Sequence, residues 1–190
     1  MSRVFWVRHG PTHARSMVGW SDLPADLSDA ARIARLSAHL PQEALVISSD
    51  LIRASATADA ISANRTRLPH DSDLREIHFG DWELQAFDAI PDQDHLRAFW
   101  DQPGDIRPPG GESWNEITAR VNRAIKRLLD AHPGSDIIAV AHFGAILTQV
   151  QQALGVTPFE AFAHKIDNLS VTELHWRNAS WQALRINHLP

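Results

Sequence analysis

Four short stretches of this chain carry side chains able to do chemistry at one point. The first is Arg8-His9-Gly10-Pro11-Thr12, where a cation, an imidazole and turn residues follow the apolar run Val4-Phe5-Trp6-Val7. The second is Ser48-Ser49-Asp50, leading into a helical pattern that holds Arg53. The third is His142, followed by Phe143-Gly144. The fourth is Leu74-Arg75-Glu76-Ile77-His78-Phe79-Gly80-Asp81-Trp82-Glu83, a group of carboxylates among bulky side chains. Together they suit phosphoryl transfer without a metal. Guanidinium forks bind phosphate oxygens bidentately and stay charged at any working pH. A neutral imidazole can attack phosphorus, and a carboxylic acid kept protonated by burial can protonate the leaving alkoxide.

Taken singly, each piece has an ordinary reading. Arg-His-Gly is short enough to recur by chance, Arg53 on a helix is usually a surface residue, and His142 could be a satisfied histidine at a strand end. Glu76 and Glu83 beside Arg75 and Asp81 could form a plain charged loop. His13, four residues after His9, resembles a metal pair on a helix, but a strand-to-loop passage makes the spacing a coincidence.

The elements that must position these groups are legible. Val4–Val7, Ala44–Ile47 and Ile137–Ala141 are nearly continuous apolar runs, as expected of parallel strands covered on both faces. In such sheets ligands bind beyond the carboxyl ends of the strands, where the polar residues fall. Helices are expected over Leu27–Leu40, ended by Pro41, and over Leu51–Ala63. A third starts at the capping box Ser113-Trp114-Asn115-Glu116, with a stripe of Trp114, Ile117, Val121, Ile125 and Leu128. A fourth runs from His142 to Gly155. Ser170–Trp176 and Trp181–Ile186 read as a hairpin at the sheet edge. The stretch Leu68–Asp105, rich in prolines, charges and aromatics, reads as a partly helical segment covering the site.

Bulk properties limit the function. The chain has 190 residues, 44% hydrophobic and 22% charged, with a formal net charge of −5. That fits one domain over 1–190 with a sizeable core, and it argues against a generic nucleic-acid binder. No cysteine is present, which excludes disulfides, thiolate zinc sites and a cysteine nucleophile. Neither a signal-peptide pattern nor a membrane-length run occurs, so the cytoplasm is the expected location.

The order of the pieces resembles the histidine phosphatase superfamily, the phosphoglycerate mutase-like family, over nearly the whole chain. The resemblance rests on Val7-Arg8-His9-Gly10-x-Thr12, Gly19-Trp20-Ser21-Asp22 with Leu27-Ser28, and Ser48-Ser49-Asp50-Leu51-x-Arg53-Ala54 with Thr57-Ala58. It continues through Leu74-x-Glu76, Phe79-Gly80-x-Trp82-Glu83, Gly111-Glu112-Ser113, Val140-Ala141-His142-x-Gly144 and Asn168-x-Ser170-Val171-Thr172. It implies an α/β three-layer sandwich: a mostly parallel sheet with an antiparallel edge strand, helices on both faces and a small irregular cap.

It further implies His9 as the phosphorylated nucleophile, with Arg8, Arg53 and His142 binding the transferring phosphoryl group. Glu76 would be the acid and then the base, with Glu83 the competing carboxylate. Gly144 would offer a backbone N–H, and Thr12, Arg15 and Gly19 complete the expected substrate-binding set. Arg15 either adds a phosphate contact or points to solvent, with solvent the default. Pro11, Arg15 and Asp50 depart from the family's usual glutamate, asparagine and proline.

The compact chain and the Phe79–Glu83 run look most like the α-ribazole phosphatases and related broad-specificity phosphatases. The implied activity is a metal-independent phosphatase without cofactor, acting on a small phosphorylated metabolite. A phosphoglycerate mutase is the alternative, and a non-catalytic phosphate-ligand binder the third reading. The family's mutases carry a longer basic lid, whereas Leu84–Pro109 here holds only Arg97 and Arg107 against five aspartates. No nucleic-acid or membrane partner is expected, and a homodimer is left open.

Overall fold

A computed structural model describes all residues 1–190. Its centre is a six-stranded sheet: β1 (Ser2–Arg8), β2 (Ala44–Ser48), β3 (Thr66–Arg67), β4 (Asp136–Ala141), β5 (Val171–Arg177) and β6 (Ser180–His188), in the order β3-β2-β4-β1-β5-β6. β1, β2, β3 and β4 are mutually parallel, and β5 and β6 form an antiparallel hairpin on the other side of β1. The antiparallel part is therefore two strands wide. β3, only two residues long, carries no periodic signal and was not expected from the sequence.

Continuous apolar runs form strands here because both sheet faces are covered. Val4 and Trp6 point into one core, with Ile137, Ala139 and Ala141 of β4. Phe5 and Val7 point into a second, with Ile138 and Val140. The first core is closed by α4 (Trp114–Ala131) and α5 (Phe143–Leu154), the second by α1 (Ala30–His39) and α2 (Ile52–Ser62). No helix is long and apolar enough to cross a membrane.

Helix limits follow local chemistry. α1 starts three residues later than the apolar spacing suggests, because the Asp29 side chain accepts from Arg32 N and caps it. α4 has the expected capping box, with Ser113 and Glu116 satisfying each other's backbone N–H groups. Gly155 ends α5 at φ 65°, a left-handed position that favours glycine. The covering segment holds three short 3₁₀ turns and α3 (Gln93–Asp101), and α6 (Pro158–Ala161) was not foreseen.

Register sets the site. Arg8 pairs with Ala141 and Ser48 with Val140, so the carboxyl ends of β1, β2 and β4 are level. The backbone extends the ladder one step further, His9 N donating to Ala141 O and Ser49 N to Val140 O. His9, Ser49 and His142 therefore emerge side by side from the middle of the sheet.

Candidate active site

His9 is 5% exposed, and its Nδ1 lies 2.6 Å from the carbonyl oxygen of Gly10. A carbonyl can only accept, so Nδ1 carries the proton and Nε2 keeps its lone pair. Burial first, and then the charges of Arg53 and Arg8, lower the His9 pKa to about 3; the Gly10 bond opposes this more weakly. The imidazole is thus neutral at ordinary pH. Neighbours fix the residue's backbone: Asn168 Nδ2 donates to His9 O at 2.9 Å, and Gly10 N donates to Thr57 Oγ1 at 3.0 Å.

Three nitrogenous side chains lie around it: Arg8 from the end of β1, Arg53 from the start of α2 and His142 from just past β4. The His142 ring centroid lies 5.0 Å from that of His9, and His142 Nε2 is 2.6 Å from Ser49 Oγ. Burial, with His9 and the surrounding arginines, holds His142 well below the usual histidine range. Arg53, at 1% exposure, donates from Nη1 to Ser21 O and from Nη2 to Gly19 O, at 2.8 and 2.5 Å. Arg8 donates from Nη1 to Ile166 O at 2.6 Å. Burial lowers both arginines' pKa values, from a start so high that both stay cationic. Three buried nitrogens remain without a protein partner: Arg8 Nε, Arg53 Nε and His142 Nδ1. Buried polar atoms are normally paired, so three orphans mark a place built for a polar, anionic group.

Glu76 stands where the resemblance expects an acid. It is buried, and its carboxylate accepts from Gly144 N at 3.0 and 3.1 Å and from Ile77 N at 2.9 Å. Those bonds, the start of α5 and the charges of Arg53 and Arg8 all favour ionisation. Burial outweighs them, and the pKa is raised. Arg120 on α4 holds the acid's backbone: Nη2 donates to Glu76 O at 2.7 Å, while Nε and Nη2 fork onto the two oxygens of Glu112. Trp20 Nε1 donates to the same carbonyl at 2.8 Å.

Several expected roles change. Glu83 is a loop clamp, accepting from Gly19 N, Trp20 N, Phe79 N and Ser21 Oγ at 3.0, 2.7, 3.2 and 2.7 Å. These donors overcome its partial burial and lower its pKa, which makes it unsuited to giving a proton. Gly19 consequently has no backbone group to offer a substrate. Its N–H belongs to Glu83 and its carbonyl to Arg53, and a Cβ there would overlap Ile77 O.

The Gly144 N–H goes to Glu76, not outward. Thr12 Oγ1 accepts weakly from Ala14 N in a local turn. Arg15 is exposed, with no hydrogen bond or ion pair, which agrees with the solvent alternative. His13 pairs with Asp26 at 2.7 Å and takes no part in the site. Arg120 was missed, although its place beside Val121 on the buried stripe of α4 was the available signal. Ser49, Thr57 and Asn168 lie in the motifs, and their parts as partners of His142, Gly10 and His9 depend on residues far along the chain.

A Cβ on Gly144 would overlap Glu76 Oε1, the free end of a flexible side chain. Gly144→Ala is therefore expected to displace the acid while leaving the fold in place. Turnover should fall by at least about tenfold, with a thermal midpoint within a few degrees of wild type. Unchanged turnover in a folded variant would remove Glu76 from its assigned place.

A neutral imidazole, two guanidinium groups and a buried carboxyl of raised pKa, gathered at the carboxyl edge of a mainly parallel sheet, are suited to moving a phosphoryl group. The sequence model of the histidine phosphatase superfamily (branch 1) matches residues 4–189, and the chain belongs to that superfamily. It is 29% identical over 191 residues to a protein named Probable phosphoglycerate mutase GpmB of Shigella boydii, covering 96% of this chain and 89% of that one. The structure of Bacillus stearothermophilus YhfR is similar at a TM-score of 0.91 and 25% identity, over 100% of this chain and 98% of that one. Mycobacterial glucosyl-3-phosphoglycerate phosphatase Rv2419c gives a TM-score of 0.84 at 27% identity, over 99% of both chains.

Proposed function

We propose that this chain is a metal-independent phosphatase that hydrolyses a small phosphomonoester through a phosphohistidine. The observation that carries the reading is the neutral His9 imidazole, Nε2 lone pair free, among the orphaned nitrogens of Arg8, Arg53 and His142. The ester's phosphoryl group, about two negative charges near neutral pH, is met by the two guanidinium groups. His9 Nε2 attacks phosphorus as the P–O bond to the alcohol breaks, and Glu76 gives its proton to the departing oxygen. Water then attacks the phosphohistidine. The Glu76 carboxylate takes the water's proton, the N–P bond breaks, and phosphate leaves with His9 neutral again. Arg8 and Arg53 hold the charge that builds on the equatorial oxygens throughout.

A phosphoglycerate mutase, the activity named for the Shigella boydii relative, would use the same phosphohistidine but return the phosphoryl group to its ligand. It must also hold a second anionic group. Both arginines of Leu84–Pro109 are already engaged, Arg97 with Asp94 and Arg107 with Glu116. That favours hydrolysis. The setting that goes with this reading is cytoplasmic, on a phosphorylated metabolite such as α-ribazole 5'-phosphate, with no nucleic-acid or membrane partner.

Protein treated with EDTA is expected to release phosphate from an aryl phosphate and from members of a phosphomonoester panel that includes α-ribazole 5'-phosphate. Isomerisation of phosphoglycerate with little release would make it a mutase. No turnover of any ester would leave a binding protein.

A further inference from the structure

An acid serves a phosphoryl group only if the distance between acid and clamp is fixed, and here one side chain spans that distance. Trp20 Nε1 donates to Glu76 O at 2.8 Å, the carbonyl that Arg120 Nη2 reaches from α4 at 2.7 Å. A carbonyl oxygen has two lone pairs, so each donor can have its own. Arg120 ties the acid's backbone to the core. Trp20 ties it to the loop that follows the nucleophile. The residues on either side of Trp20 are joined to the clamp itself, since Arg53 donates to both Gly19 O and Ser21 O. Trp20 N donates in turn to Glu83 Oε1 at 2.7 Å.

The indole has its own support. The Arg75 guanidinium lies over the Trp20 ring, 4.7 Å from its centroid, and the His78 ring packs edge-on at 4.5 Å. Arg75 forks onto Asp50, Nε to Oδ1 at 2.7 Å and Nη2 to Oδ2 at 2.6 Å. Asp50 is one of the positions where this chain departs from its family, and the usual proline could not make that fork. A half-exposed ion pair adds little stability. A bidentate one does fix the plane of a guanidinium, which is what a ring stacked beneath it needs.

We infer that Trp20 is a positioning residue that sets the Glu76 carboxyl against the phosphoryl clamp, and that Asp50 and Arg75 hold its ring in place. The inference rests on the phosphatase reading for the acid's task, but the placement of the carboxyl can be read without turnover.

Trp20→Phe keeps a flat ring and removes the donor. Its kcat/KM on an alkyl phosphate is expected to fall at least about tenfold, because a small displacement of the acid is costly. On a nitrophenyl phosphate, whose leaving oxygen needs little help, the loss should stay under about threefold. Asp50→Asn, at an exposed position, should show the same selectivity with a loss of about threefold on the alkyl ester. A ring that only filled space would lower both esters alike.

The second measurement is NMR of protein labelled at the glutamate side-chain carboxyl carbons, with the Glu76 signal identified by its loss in Glu76→Gln. Burial raises this group in the wild type, and in Trp20→Phe it should titrate lower as water reaches a slackened carboxyl. That lowering, with no ester hydrolysed by the wild type, would keep the positioning role and remove the phosphatase. Hydrolysis with equal losses on the two esters would keep the phosphatase and overturn the positioning role. Unchanged selectivity in Asp50→Asn would overturn the part given to Asp50 and Arg75.

Discussion

Replacing His9 with alanine is expected to lower kcat on an aryl phosphate by on the order of 10³-fold or more, because the covalent route closes and only the binding groups remain. The size follows from the geometry around the ring. Nδ1 is committed to the Gly10 carbonyl at 2.6 Å, so the whole nucleophilic capacity resides at Nε2. Burial and the neighbouring guanidinium groups hold the pKa at about 3, so the ring is neutral at neutral pH. Wild-type protein quenched during turnover of a phosphorus-labelled ester should hold label that is stable to alkali and lost in acid, as a phosphorus–nitrogen bond requires. The His9→Ala protein should hold none. Label on His142, or turnover within tenfold of wild type, would overturn the assignment.

Glu76→Gln should have the second largest effect, about 10²- to 10⁴-fold on an alkyl phosphate. The loss should shrink for a nitrophenyl phosphate, whose leaving oxygen needs little help from an acid. The pH profile tests the same group independently. Burial raises the Glu76 pKa, so the proton persists above the ordinary carboxylate range. Wild-type kcat/KM should therefore fall as pH rises through that raised value. The glutamine variant, already low, should lack this limb. Taking the ratio of the two profiles cancels the substrate's own ionisation. Parallel profiles, or equal losses for good and poor leaving groups, would leave Glu76 without a proton-transfer role.

The positions of His9, Arg8 and His142 were legible in the sequence because strands buried on both faces leave a sharp mark. A nearly continuous apolar run ends, and the next residue is polar. His9, Ser49 and His142 each sit one step past the end of a strand, and the level register of β1, β2 and β4 makes those steps neighbours. What could not be read were roles decided by partners far along the chain. Glu76 and Glu83 look alike in sequence. One meets two backbone donors in a dry site, whereas the other meets four backbone N–H groups and a hydroxyl. Their pKa values move in opposite directions for that reason. The same blindness hid Gly144, whose N–H is taken up by a residue 68 positions earlier. Short elements escaped too, since β3 is held by pairing with β2 and not by any pattern of its own.

The two halves of this site have separate origins in the chain. His9, Arg8 and His142 stand at the ends of β1 and β4 and Arg53 on α2, whereas most of the apolar walls beside Glu76 come from the covering segment and from Phe162, next to α6. Mutations in those walls can accumulate without disturbing a single strand register. Descent with a fixed reaction and a drifting diet is therefore open to such a protein. An engineer has the same opening: residues 84–109, which carry Phe99, Trp100 and Pro103 of those walls, could be exchanged for those of a relative with His9 untouched.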